Sequence, residues 1–162
     1  MYVYLFMSQR KIKIALLGDT LANGGAERIH STLSLYLEQQ GFEVHNIINL
    51  DAISYPYGGV LYNLGLFQSP HFSLRNKFKR FQLFRHYLQT HSFDYILDFR
   101  TRSKPLTEVL LHYWVFDQQY IPTVHSSNLS WYFTTRTFWG KRIYRKAKQI
   151  ICVSQTITDQ VK

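Results

Sequence analysis

The sequence predicts an α/β domain with a mainly parallel sheet covered by helices on both faces. Three observations carry that prediction. Short runs of branched aliphatics alternate with longer segments of helical periodicity from Lys11 to the last residue. The first strand–helix–strand passage closes within about 40 residues, a length typical of a right-handed crossover between parallel strands. The 162 residues are 46% hydrophobic and 18% charged, enough apolar material for one core and too little chain for two ordinary domains.

The elements follow in order. Lys11–Leu17 (KIKIALL) reads as a buried strand, and Gly18–Gly25 as a loop dense in residues that tolerate unusual backbone angles. Ala26–Gln40 places Ile29, Leu33, Leu35, Tyr36 and Leu37 at mainly helical spacing, with Gly41 where a helix C-terminal glycine belongs. Phe42–Leu50 is a second strand, and Tyr57–Leu64 a weaker one at a Tyr-Pro-Tyr-Gly-Gly turn. Ser73–His91 reads as a helix with the stripe Leu74, Phe78, Phe81, Phe84 and Leu88. Asp94–Arg100 is a strand; Lys104–Phe116 is a helix with Ser103 as its expected N-cap and Pro105 in its first turn. Tyr120–His125 is a strand whose first half Pro122 should weaken. Asn128–Arg145 is irregular or helical, Gln149–Ser154 a strand, and Gln155 begins a helix. No internal repeat, low-complexity tract or linker interrupts the series, so residues 1–10 are read as an N-terminal extension and 11–162 as one domain.

Net charge is +9 and aromatic content 17%, which together direct attention to an anionic partner. Residues 73–88 hold Arg75, Lys77, Lys79, Arg80 and Arg85; residues 136–148 hold Arg136, Lys141, Arg142, Arg145, Lys146 and Lys148; neither window contains an acid. Both windows are read equally well as solvated helix faces. The apolar start Met1–Met7 falls far short of the ~20 residues that cross a bilayer and lacks the features of a secretion signal. Met7 is an alternative start, and a soluble or peripheral protein is expected. Cys152 is the only cysteine; no intrachain disulfide is possible, which fits a reducing compartment, and a small core residue is its expected role.

In sheets of this class ligands bind beyond the C-terminal ends of the strands, where strand order reverses. The rule selects Gly18–Gly25, Asp98–Arg102, His125–Asn128 and Ser154. Gly24-Gly25-Ala26-Glu27-Arg28 lets backbone approach a ligand, and the helix start attracts phosphate; a simple tight turn is the competing reading. Neither a Walker A loop nor a GxGxxG fingerprint is present. Arg100 and Arg102 are either forks for carboxylate or phosphate or plain surface charge, with Asp98 as an alternative local partner for Arg100. His125, followed by Ser126-Ser127-Asn128, suits a hydrogen bond to a sugar hydroxyl or a structural cap. No residues fall at zinc-site spacing and no Ser-His-acid set assembles, so no protein-bound metal is predicted.

The run KIKIALLGDTLANGGAERIHSTLSLYLEQQGFEVHNI resembles the opening of the family 4 retaining glycosyltransferases of GT-B fold. DYILDFRTRS, IPTVHSS and RKAKQIICVSQTITDQV resemble later passages of that family in the same order. The resemblance implies a Rossmann-like, acceptor-side N-terminal half of a GT-B enzyme. By the same resemblance Gly24 and Gly25 approach the donor diphosphate, His125 faces the transferred sugar, and Glu27, Arg28, Arg100, Arg102 and Ser126 line the acceptor pocket, with Ser154 near the cleft end. The implied reaction moves a sugar from a nucleotide-diphosphate sugar to a polysaccharide or lipid-linked glycan at the cytoplasmic membrane face. The nucleotide sugar is substrate, and no further cofactor is implied. Two departures stand out: Ser126 follows His125 where many members have Gly or Asp, and Tyr57–Phe72 matches nothing in the family. The family's nucleotide-gripping second domain, with its paired glutamates, is absent from these residues. The chain alone is therefore expected to be inactive, needing a C-terminal domain or partner chain. The basic-aromatic helix 73–88 is expected either to rest on anionic lipid or to pack on its own sheet. A non-catalytic basic module for nucleic acid or a partner subunit is the alternative.

Overall fold

The computed structural model describes residues 10–69, 71, 73–116, 119–133, 144 and 147–161. Its elements are β1 (Lys13–Gly18), α1 (Gly25–Gln39), β2 (Glu43–Ile48), β3 (Val60–Asn63), α2 (Leu74–His91), β4 (Tyr95–Asp98), α3 (Pro105–Trp114), β5 (Gln119–Val124), β6 (Ile151–Cys152) and α4 (Gln155–Val161). Short 3-10 turns occupy Leu64–Phe67 and Leu129–Trp131. The strands form one sheet in the order β3-β2-β1-β4-β5-β6, every neighbouring pair parallel. This is the doubly wound Rossmann-like order, with its reversal between β1 and β4.

Alternation along the strands sets the layers. Ala15 and Leu17 of β1, Ile96 of β4 and Tyr120 of β5 point to one face, where they pack with Phe84 and Leu88 of α2 and Leu111 of α3. Ile14, Leu16 and Val44 point to the other, against Leu33 and Leu37 of α1. Both faces are covered, which is why the strands read as continuous apolar runs. Gly41 ends α1 with φ of 85°, a left-handed position that favours glycine, as expected of it.

Two expectations need correction. Lys104, not Ser103, is the N-cap of α3, and no side chain caps it; Pro105 takes the first helical position, where its missing N–H costs nothing. Pro122 sits in an interior strand without weakening it. The carbonyls of Tyr120 and Val124 accept from Lys148 and Val153, so even-numbered residues of β5 aim their backbone groups toward β6. Pro122 therefore aims its missing donor at a neighbour that pairs only with Thr123 and Val124.

The α2 stripe is divided: Phe84 and Leu88 are core, whereas Leu74 and Phe78 are exposed. Cys152 is half-buried against the Val124–Tyr132–Ile157 cluster. Residues 1–9 of the N-terminal extension lie outside the described residues. So do Arg136, Lys141, Arg142, Arg145 and Lys146 of the second basic window and most of the Asn128–Arg145 segment. Among the described residues no helix is long and apolar enough to cross a membrane.

Candidate functional site

The strand-order reversal brings the loops after β1, β2 and β4 to one edge, and Asp19 ties them together. Its Oδ2 accepts from the backbone N–H and hydroxyl of Thr101 (3.1 and 3.2 Å), and its Oδ1 from Asn49 Nδ2 (3.2 Å). A cavity of ~530 Å³ opens beside them between α2 and α3, within the usual range for small-molecule sites. Asp19, Asn49 and Arg100 form its edge, Phe78, Phe81 and Phe84 one wall, and Glu108 and Leu111 the other.

At the end of β4 consecutive residues point to opposite faces. Asp98, fully buried, turns toward α3. Its carboxylate accepts from the backbone N–H (3.0 Å), Nε (2.9 Å) and Nη2 (2.8 Å) of Arg100 and from the Tyr120 hydroxyl (2.7 Å). Burial alone would raise the pKa of Asp98; the charge and hydrogen bonds of Arg100, with help from Arg102, hold it at about 2. Arg100 also reaches Glu108 at 3.3 Å, so it serves the cavity wall with its guanidinium already paired. The burial of Glu108 pushes its own pKa up despite that contact.

Arg102 is 1% exposed and turned inward, not a surface charge. Its Nη1 donates to the carbonyls of Asp98 and Arg100, its Nη2 to that of Thr123 (2.7 Å), and its Nε to the Tyr144 hydroxyl (2.9 Å). It clasps the C-terminal ends of β4 and β5.

Phe99 turns the other way, toward α1. It stacks on His30 at 5.1 Å and on His125 at 5.3 Å, making a three-ring column across the ends of β1, β4 and β5. Thr123 gives its hydroxyl proton to the Asp98 carbonyl, so His125 Nε2 must donate to that hydroxyl at 2.7 Å. His30 Nε2 likewise donates to Asn46 Oδ1 at 3.0 Å, because Asn46 spends its amide on the Gly58 carbonyl. Both rings are thus single tautomers whose buried Nδ1 has no hydrogen-bond partner among the described residues. Burial lowers the pKa of each to about 4, with Arg102 adding to the effect at His125. Both are neutral at pH 7. Gly18 makes the column possible: a Cβ there would lie 2.7 Å from His30 Nδ1.

Gly24 is the N-cap of α1 and Gly25 its first residue. The Glu27 carboxylate folds back over Gly24, where a Cβ would meet Oε2 at 1.9 Å; a Cβ on Gly25 would meet nothing within 4 Å. Arg28 is exposed. Ser126 Oγ accepts from Asn128 N–H, and Ser154 caps α4 through Ile157 N–H. The structure thus gathers the glycine turn, Arg100, Arg102 and His125 at one edge. Sequence reasoning missed His30, Glu108 and Tyr120, and took Asp19 only as part of the loop Gly18–Gly25. Asp19 and Glu108 had a legible signal, being carboxylates in the loop after β1 and the first turn of α3.

The model of glycosyltransferase family 4 matches residues 23–162, from the glycine turn through α4. The chain belongs to glycosyltransferase family 4, as its N-terminal domain. No curated protein matches it. The family 4 match includes Gly24, Gly25, Arg100, Arg102, His125 and Ser126. His30, the far end of the ring column, also falls within it.

Proposed function

We propose that this domain is the acceptor-side half of a retaining glycosyltransferase, and that the edge between β1 and β4 is where its sugar is transferred. Family 4 membership, joined to an uncapped helix start after β1 and a neutral histidine after β5 at the same end of the sheet, carries the reading. Gly24 and Gly25 bring the N-terminus of α1 to the donor diphosphate, where free N–H groups and the helix dipole favour anionic oxygen. The bond between the anomeric carbon and the diphosphate breaks with both electrons leaving on phosphate. The acceptor oxygen bonds that carbon from the same face, and its proton passes to the departing phosphate.

His125 meets the transferred sugar as a neutral ring, its tautomer fixed by Thr123. Ser126, Glu27 and Arg28 contribute polar groups to a polysaccharide or lipid-linked glycan acceptor at the strand ends, Arg100 contributes at the edge of the α2–α3 cavity, and Arg102 contributes by clasping the strand ends. In this reading a second Rossmann-like domain holds the nucleotide, and residues 11–162 meet the donor through its diphosphate and sugar.

Saturation-transfer NMR with UDP-glucose and GDP-mannose tests the reading. Saturation should reach the sugar and not the base, and Gly25→Val should abolish it. Transfer centred on the base, or transfer indifferent to Gly25→Val, would overturn the assignment.

A further inference from the structure

His30 meets neither sugar nor acceptor in the reading above, yet its burial is costly. It is 0% exposed in the second turn of α1, uncharged at pH 7, and its Nδ1 has no hydrogen-bond partner among the described residues. An apolar side chain would fill the same space without leaving a polar nitrogen unpaired. What the imidazole gains is an anchor. Its Nε2 donates to Asn46 Oδ1 at 3.0 Å, and Asn46, itself fully buried, donates to the Gly58 carbonyl at 2.7 Å. The same segment is tied to α1 twice more, by Gly58 N–H to Ser34 Oγ (3.1 Å) and by Gly59 N–H to Glu38 Oε1 (2.9 Å).

The other end of the column has no such anchor. His125 is half-buried, and its Nε2 bond to Thr123 sets the tautomer but leaves the ring free to turn about that one bond. Phe99, stacked on it with 28° between the planes, has no polar atom to fix its own plane. On its other side lies His30, 17° from parallel. We infer that His30 is a positioning residue for His125, acting through Phe99. Held by Asn46, the His30 ring fixes the plane of Phe99, and Phe99 fixes the plane of His125. Stacked rings carry a tilt along the column because a close-packed interior has no slack and each ring loses contact as its neighbour turns. The positioning stands on this geometry. Only its consequence, that a sugar hydroxyl finds the His125 Nδ1 lone pair in a fixed direction, rests on the proposed function.

Imidazole NMR of the full chain is the test, reading the tautomer and pKa of His125. His30→Leu removes the ring; the His125 pKa should move up from about 4 toward its ordinary 6.5, and the Nδ1–H tautomer should become populated. His30→Gln keeps a donor for Asn46 without a ring and should act in the same direction at smaller cost to folding. His30→Phe removes the same titrating group and the same Asn46 bond but keeps a ring on Phe99, so His125 should stay close to wild type. That control separates stacking from charge repulsion between the imidazoles and from lost stability. In a Phe99→Leu background, His30→Leu should change nothing further at His125, because the path runs through Phe99. Saturation transfer to the sugar of UDP-glucose should fall about fivefold in His30→Leu, the change that ~1 kcal/mol for one aromatic contact gives. A His125 titration indifferent to His30→Leu and His30→Gln would overturn the inference. So would a shift in His30→Phe as large as in His30→Leu, or an equal shift with and without Phe99. The His125 response without sugar saturation in wild type sinks the transfer site and leaves the positioning intact; sugar saturation without the His125 response does the reverse.

Discussion

On the α3 side of β4, Asp98 gathers Arg100, Arg102 and the Tyr120 hydroxyl around a carboxylate with no solvent exposure. On the α1 side, one residue later, Phe99 lies between two imidazoles that carry no charge at pH 7. The first region buries charge and fills its hydrogen-bonding capacity. The second buries polar rings and leaves an acceptor nitrogen in each without a partner among the described residues. A filled network rigidifies the strand ends and punishes the loss of any member. An unfilled one costs stability and persists where a ligand-facing surface must stay uncharged. The division sets a charged, paired clasp on one face of β4 against an uncharged column on the other.

Breaking the clasp should have the largest effect. Asp98→Ala leaves Arg102 without its counter-charge and Arg100 with Glu108 alone, and should cost roughly 3–5 kcal/mol in urea unfolding at pH 7. The pH dependence has a defined sign. Asp98 has a folded pKa of about 2 against an ordinary value of 3.8, so its contribution is complete above pH 3.8. It is lost as pH falls toward 2. The variant should lack that acid limb.

The column should respond in a different window. A histidine held at about 4 against an ordinary 6.5 gives stability that is complete above pH 6.5 and lost as pH falls toward 4. For His30 this amounts to roughly 3 kcal/mol. His30→Phe keeps a ring on Phe99 but leaves Asn46 Oδ1 buried and unpaired, costing roughly 1–3 kcal/mol at pH 7. The deficit should shrink toward zero as pH approaches 4, because only the wild type pays to keep His30 neutral. His112, also held at about 4, is common to both proteins and cancels from the difference. A deficit that stays constant from pH 7 to 4 would show that His30 is not held neutral. Phe99→Leu comes next, at about 1–2 kcal/mol. By imidazole NMR titration, the His125 pKa should then move up from about 4 toward its ordinary value as its cover is lost.

The fold was readable because both sheet faces are covered. Runs such as Ile14–Leu17 and Glu43–Ile48 announce parallel strands, and Gly41 marks a helix end by its backbone requirement alone. Pro122 misled because its penalty depends on which neighbour its nitrogen faces, and strand order decides that. The site was half readable. Gly24, Arg100 and His125 stand beside strand ends, where local pattern can find them. His30 lies within a helix with nothing nearby in sequence to mark it, and only the packing of α1 brings it to Phe99. The pairing of Asp98 with Arg100 was foreseeable from two residues' separation. The inward turn of Arg102 was not, since its acceptors are carbonyls that become available only where β4 and β5 end side by side.

The smallest structural effect should carry the sharpest functional one. Gly24 and Gly25 are adjacent at the start of α1, yet they pose different tests. Gly24→Ala would drive a Cβ into the Glu27 carboxylate, so any loss of ligand contact would mix two causes. Gly25→Ala places its methyl in open space, at a backbone angle that L residues adopt, and should change unfolding stability by no more than about 0.5 kcal/mol. If Gly25 is bare so that a diphosphate can reach the helix start, Ala should weaken sugar-nucleotide saturation transfer and Val should remove it, with both proteins melting like wild type. If the glycine serves only the turn, binding should survive both changes and the stability of Val should fall instead. The two outcomes separate a ligand-driven glycine from a fold-driven one at a site where neither the clasp nor the column is disturbed.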